Sequence, residues 1–140
     1  MAARALKPAE TILVVDDDPE VLALAVDILQ RVGYTVLGTV DPRHALRLVR
    51  THAEPLHLLL TDVVMPLMSG LELAAEVRAI RPGIKILLMS AYRINEIEDY
   101  QTRLAPGEPF LDKPFTIPAL ERAVRAALEY PAQVPRPRAQ

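Results

Sequence analysis

The chain has 140 residues, a formal net charge of −2 and no cysteine, and although 51% of it is hydrophobic only 4% is aromatic. That length fits one domain with an aliphatic core, the charge balance argues against a nucleic-acid-binding surface, and the missing cysteines exclude disulfides, thiolate metal sites and cysteine catalysis. No apolar stretch is long enough to cross a membrane and the first ten residues lack a secretory apolar core, so a soluble, cytoplasmic protein is expected.

In chain order, residues 1–10 read as an N-terminal arm. The run Ile12-Leu13-Val14-Val15, predicted as a strand over 11–15, leads straight into Asp16-Asp17-Asp18. Short, continuously apolar runs are the mark of strands buried on both faces. Asp18-Pro19 marks a helix over 19–32, an N-cap followed by proline in the first turn. Its inward stripe is expected to be Val21, Leu24, Ala25, Ile28 and Val32, with Leu22, Val26 and Leu29 together to one side. Those three are either part of a broad buried face or a partly exposed patch on which another helix docks. A strand over 34–38 and a helix over 42–53, capped by Asp41-Pro42, come next.

Leu58-Leu59-Leu60-Thr61, within a strand over 57–61, ends on Asp62. Ser69 and Glu72 form a capping-box pattern at the head of a helix over 70–80, with Leu73, Val77 and Ile80 at helical spacing. Ile86-Leu87-Leu88-Met89, in a strand over 84–89, ends on Ser90. A weakly amphipathic helix over 94–104 carries Ile94, Ile97, Tyr100 and Leu104. The short run Phe110-Leu111-Asp112, with a strand over 109–111, delivers Lys113, and Thr116 caps a last helix over 117–129. Residues 130–140, with Pro131, Pro135 and Pro137, read as a tail or linker stub.

Alternation of strands and helices predicts an α/β fold with a parallel sheet. In such sheets ligands bind outside the carboxyl ends of the strands. Four strands therefore aim Asp16, Asp17, Asp62, Ser90 and Lys113 into one crevice. Taken singly, Asp18 is a helix cap and each other carboxylate can be a solvated loop charge. Gathered together, like charges repel and call for compensation. A magnesium ion supplies it, since it takes oxygen ligands and bridges carboxylates to phosphate, and Lys113 can pair with phosphate oxygens as a point charge. His44, His52 and His57 show no metal spacing and are read as surface or loop residues.

The strings "ILVVDDDPEV", "LLLTDVVMPLMSGLEL", "ILLMSAY" and "PFLDKPFT", in that order, closely resemble the receiver domains of bacterial two-component response regulators over residues 11–129. The resemblance implies a flavodoxin-like, doubly wound, five-stranded parallel sheet of strand order 2-1-3-4-5 with helices on both faces. It implies that Asp62 is the phosphoacceptor, that Asp17 ligates Mg2+ (or Mn2+) directly, that Asp16 acts on the metal through water, and that the Val64 backbone carbonyl is a further ligand. Ser90 matches the hydroxyl that turns toward the phosphoryl group, Lys113 the ammonium that bonds it, Lys113-Pro114 the family's cis peptide, and Phe110 its aromatic rotamer switch. The helix at 94–104 belongs to the face that responds.

The implied partners are a histidine kinase or histidine phosphotransfer protein, docking on Leu22, Val26 and Leu29, and an unknown downstream protein. No nucleic acid or membrane partner is expected for this chain alone, and the implied state is a monomer or a phosphorylation-dependent dimer. Stand-alone regulator and receiver of a longer protein such as a hybrid histidine kinase both remain open. Two other functions compete: a Mg2+-dependent aspartyl-phosphate phosphohydrolase and a degenerate, binding-only receiver. The first is disfavoured by Val64, which stands where such a hydrolase needs an acid/base and cannot move a proton. The second is disfavoured by the complete set of acceptor, acidic pair, hydroxyl and lysine.

Overall fold

The five apolar runs form one parallel sheet, in a computed structural model that describes residues 10–91 and 107–131. The strands are β1 (Thr11–Val15), β2 (Thr35–Thr39), β3 (Leu58–Asp62), β4 (Lys85–Ser90) and β5 (Phe110–Asp112), in the order β2-β1-β3-β4-β5. All four pairings are parallel. Both β1 and β3 are buried at every position, whereas β2 lies at an edge and exposes Thr35 and Gly38. Because successive side chains alternate faces, Leu13, Val15, Leu59 and Leu88 meet helices α2 (Pro42–Thr51) and α3 (Gly70–Ile80) on one side. Ile12, Val14, Leu58, Leu60, Leu87 and Met89 meet α1 (Pro19–Val32) and α4 (Ile117–Glu129) on the other.

Helix starts follow the local chemistry. Asp18 accepts from the Glu20 and Val21 N–H groups, and Asp41 from that of Arg43. Ser69 and Glu72 complete a reciprocal capping box, and Thr116 accepts from Ala119. At the far end of α1, Gly33 (φ 119°) adopts the left-handed conformation that lets its N–H cap Leu29 and Gln30. Two cations finish other helix ends over long distances. Arg81 donates to the carbonyl of Val49 in the last turn of α2 and to those of His52 and Glu54 just beyond it, and Lys85 to those of Leu128 and Tyr130 at the end of α4.

Several expectations shift. Strands β2 to β5 each lie one residue later than the apolar runs predict, because the ladder uses backbone groups and is indifferent to side-chain polarity. Asp62 thus pairs in register with Met89, and Ser90 with Asp112. Helix α2 stops at Thr51 rather than 53, where His52 turns extended and Arg81 collects the loose carbonyls. His57 is no bystander: its Nδ1 accepts the Thr11 N–H at 2.9 Å, and His44 Nδ1 bonds Thr39 Oγ1 at 3.0 Å. The helix predicted over 94–104 lies outside the described residues, as do residues 1–9 and 132–140 of the two terminal segments.

The inner face of α1 is also rotated from its expected position. Leu24, expected inside, is 49% exposed, while Leu29, expected in a docking patch, is fully buried. Leu22 and Val26 are half-buried and lean on β2, where a methyl group at Gly38 would meet Val26 Cγ2 at 3.0 Å and Leu22 Cδ1 at 3.1 Å. Side chains on that side of the helix close on β2 beside Gly38, so Leu29 is withdrawn from any docking surface while Leu22 and Val26 stay half-exposed. No helix among the described residues is long and apolar enough to cross a membrane.

Candidate functional site

At the carboxyl end of the sheet, β1, β3 and β5 deliver the groups that define the site. Asp16 follows β1 and is fully buried. Its Oδ1 accepts the Asp18 N–H at 2.9 Å and its Oδ2 accepts Lys113 Nζ at 2.8 Å. The Lys113 ammonium also donates to Asp62 Oδ2 at 3.2 Å. Asp62, the last residue of β3, is 6% exposed, whereas Asp17 is open to solvent. Carboxylate oxygens of Asp16, Asp17 and Asp62 all lie within 4.8 Å of one another.

Burial pushes the Asp62 carboxyl above the usual carboxylate range; the Lys113 charge pulls it down, and the Asp16 and Asp17 charges push it up again. For Lys113 burial works the other way, but the Asp16 hydrogen bond and the charges of Asp62 and Asp16 outweigh it, so the ammonium holds its proton above the ordinary lysine value. Three carboxylates facing one ammonium leave an excess of negative charge when all are ionised. A hard divalent cation with oxygen ligands matches that donor set, and exposed Asp17 leaves a way in.

The pleat sorts the remaining residues. By alternation Asp16, Asp62 and Lys113 fall on the α1/α4 side, while Ser90 and Phe110 fall on the α2/α3 side. Ser90 is buried and its carbonyl accepts the Lys113 N–H at 2.9 Å, tying β4 to the lysine backbone. Phe110 is half-buried, pairs with Leu88 two residues before Ser90, and packs against the α2/α3 core. Hydroxyl and ring therefore share one face at adjoining positions. The Lys113-Pro114 peptide is cis. Val64, two residues past Asp62, is 49% exposed.

The β3–α3 loop turns at Leu67, whose φ is 75° and which is 76% exposed; the Met68 N–H donates to the Pro66 carbonyl at 2.8 Å across it. Such a turn is strained in any residue with a Cβ. Relief of that strain outweighs the added freedom glycine gives the unfolded chain. Leu67→Gly is expected to stabilise the protein by about 0.5 kcal/mol, read as a higher urea midpoint with an unchanged slope. Sequence reasoning placed residue 70 only at the head of a capped helix and so missed how closely α3 approaches Asp62.

The family model of the response regulator receiver domain matches residues 12–125. The transcriptional regulatory protein YrkP of Bacillus subtilis is 35% identical over 120 residues, which cover 86% of this chain and 50% of that protein. The chain spans half the length of YrkP and smaller fractions of other curated relatives. Among solved structures, a CheY-like response regulator receiver domain protein from Methanospirillum hungatei superposes with a TM-score of 0.75 at 27% identity, covering 87% of this chain and 95% of that one. A response regulator from Burkholderia pseudomallei, solved with a phosphorylated aspartic acid, a calcium ion and citrate, superposes with a TM-score of 0.68 at 26% identity over 86% of this chain and 66% of that one.

Proposed function

Since the chain belongs to the response regulator receiver domain family, we propose that Asp62 is its phosphoacceptor, that Asp16, Asp17, Asp62 and the Val64 carbonyl hold Mg2+, and that Ser90 and Lys113 bind the transferred group. The observation that carries this reading is the joint placement of Asp16, Asp17 and Asp62 within 4.8 Å of one another, with Lys113 Nζ bonded to both buried carboxylates. One Asp62 oxygen attacks phosphorus, the bond from phosphorus to the donor's nitrogen or oxygen breaks, and the donor leaves with that electron pair. Lys113 exchanges its Asp62 contact for a phosphoryl oxygen, and Ser90 donates to another. A bound Mg2+ would neutralise charge on the phosphoryl oxygens.

The added charge of roughly −1.5 to −2 is read out through Ser90 and Phe110. A Ser90 hydroxyl drawn toward the phosphoryl group leaves its side of the sheet, and the Phe110 ring on that side repacks into the space. Phe110 has no hydroxyl, so its switch works by packing alone. The donor is a histidine kinase or histidine phosphotransfer protein and the receiver of the signal is a downstream protein. The chain's chemistry is confined to its own phosphorylation and dephosphorylation, carried by residues 11–129.

The test is intact mass after incubation with Mg2+ and a small acyl-phosphate donor. A single adduct that needs Mg2+ and maps to the peptide holding Asp62 supports the reading; an adduct elsewhere, or none in a folded protein, contradicts it. Val64 cannot orient an attacking water, so the adduct is expected to be long-lived. Val64→Asn should shorten its half-life about tenfold, about 1.4 kcal/mol of barrier, followed by loss of adduct mass over time. On α1 Leu24 is a large apolar side chain open to a protein donor, whereas Leu29 is buried. Leu24→Asp is expected to slow transfer from such a donor about tenfold while leaving the small-molecule reaction unchanged, by parallel time courses.

A further inference from the structure

Gly70 is the first residue of α3, and the space beside its Cα is already taken. A methyl group there would lie 2.0 Å from the Asp62 backbone oxygen, 2.9 Å from the Asp62 carbonyl carbon and 3.0 Å from Val63 Cα. All three are backbone atoms and cannot swing aside as a side-chain tip can. The Gly70 N–H donates to the Val63 carbonyl at 2.8 Å, and the Val63 N–H donates to the Met89 carbonyl at 3.0 Å. The Asp62–Val63 backbone is thus held between the start of α3 and β4. The other glycines differ: Gly83 has nothing within 4 Å, and at Gly38 the near atoms belong to side chains.

We propose that Gly70 is a positioning residue for phosphoryl acceptance. Its missing side chain lets α3 press directly on the Asp62 carbonyl and so fixes where the Asp62 carboxylate stands relative to Asp16, Asp17 and Lys113. The proposal rests on the reading of Asp62 as acceptor. Any residue with a Cβ at 70 must displace the backbone of 62–63, the head of α3, or both, by at least about 1 Å to reach 3.0 Å, the shortest contact real Cβ atoms show. A misplacement of that size in a reacting group costs about 100-fold in rate. A purely structural glycine would behave differently: its replacement would lower stability, yet every molecule that folds would react as before.

The experiment compares wild type, Gly70→Ala, Ser69→Ala, Gly83→Ala and Asp62→Asn. Ser69→Ala weakens the same helix end by removing its cap, without entering the space beside Asp62. Adduct formation from a small acyl phosphate is timed at saturating Mg2+ and divided by the folded fraction from circular dichroism. Gly70→Ala is expected to fall on the order of 100-fold per folded molecule, with Ser69→Ala and Gly83→Ala close to wild type. Equal rates for Gly70→Ala and Ser69→Ala would overturn the proposal. If Gly70→Ala does not fold, it is repeated in a Leu67→Gly background with a stabilising osmolyte, against Leu67→Gly alone. Failure to fold there also overturns the proposal, because it makes Gly70 a requirement of the fold. No adduct on wild type sinks the acceptor reading itself; an adduct on wild type that forms equally fast on Gly70→Ala sinks only this one.

Discussion

Asp62→Asn is expected to abolish the Mg2+-dependent adduct and, in metal-free buffer at neutral pH, to make the protein more stable than wild type. Loss of the adduct follows because an amide oxygen is no nucleophile toward phosphorus under these conditions. The gain in stability follows from the environment of the carboxylate. Burial, with Asp16 and Asp17 close by, raises the folded-state pKa of Asp62 above the ordinary value of 3.8 despite the opposing charge of Lys113. Between the unfolded and the folded pKa the folded state binds more protons, so stability falls as pH rises through that interval. At neutral pH the ionised Asp62 weighs against folding, and a neutral isostere removes the penalty. Urea unfolding in a chelator should show the variant ahead at pH 7 and the two curves converging as pH drops below the ordinary carboxylate value. Mg2+ should reverse the order, since ligand at a hundredfold over its Kd stabilises by about 2.7 kcal/mol and the variant has lost a charged ligand. A variant weaker than wild type in chelator at pH 7 would contradict this account of the site.

Lys113→Met is expected to have the largest effect on stability, a loss of about 3 kcal/mol without divalent metal. The ammonium bonds fully buried Asp16 at 2.8 Å and nearly buried Asp62 at 3.2 Å, and its own side chain is only 14% exposed. Met keeps much of the stem's volume and deletes the charge. Two buried carboxylates then face each other with no cation between them, and this remaining charge, rather than the lost bond, accounts for most of the penalty. Because the raised folded-state pKa of Lys113 lies above neutrality, its contribution is fully present at pH 7 and disappears only as pH climbs through that value. Denaturation in chelator and then in Mg2+ measures the effect. Metal should restore a large part of the loss by replacing the missing positive charge, yet adduct formation should stay slow because no ammonium meets the phosphoryl oxygens. Equal stability of variant and wild type in chelator would show that the carboxylates are solvated and not buried against Lys113.

Much of this could be read from residues alone, and the reason is local. Runs such as Leu58-Leu59-Leu60 have no polar face, so they fit only strands covered on both sides, and βα alternation then forces a parallel sheet. Asp18-Pro19, Ser69 with Glu72, and Thr116 mark helix starts through bonds that span three residues or fewer. α1, α3 and α4 accordingly begin and end where their patterns predict. The placement of the site residues was legible for a related reason: each of Asp16, Asp17, Asp62, Ser90 and Lys113 directly ends a strand or lies one or two residues past it, so topology brings them to one end of the sheet.

The set of elements, their alternation, and the delivery of Asp16, Asp17, Asp62 and Lys113 to one edge of the sheet thus follow from local pattern in the chain. Relations between segments distant in the chain come only from packing in the folded protein. The face α1 turns inward is set by its packing against the sheet, with Leu22 and Val26 close beside Gly38 of β2, whereas helical periodicity alone put Leu24 inside and left Leu29 as a candidate for docking. The shared grip of Lys113 on Asp16 and Asp62 joins residues 97 and 51 positions apart. The demand for glycine at 70 comes from the Asp62 carbonyl and not from any turn at 70 itself. Patterns in a chain record which face of an element is apolar; how closely two backbones approach is set by packing and appears only when both are in place.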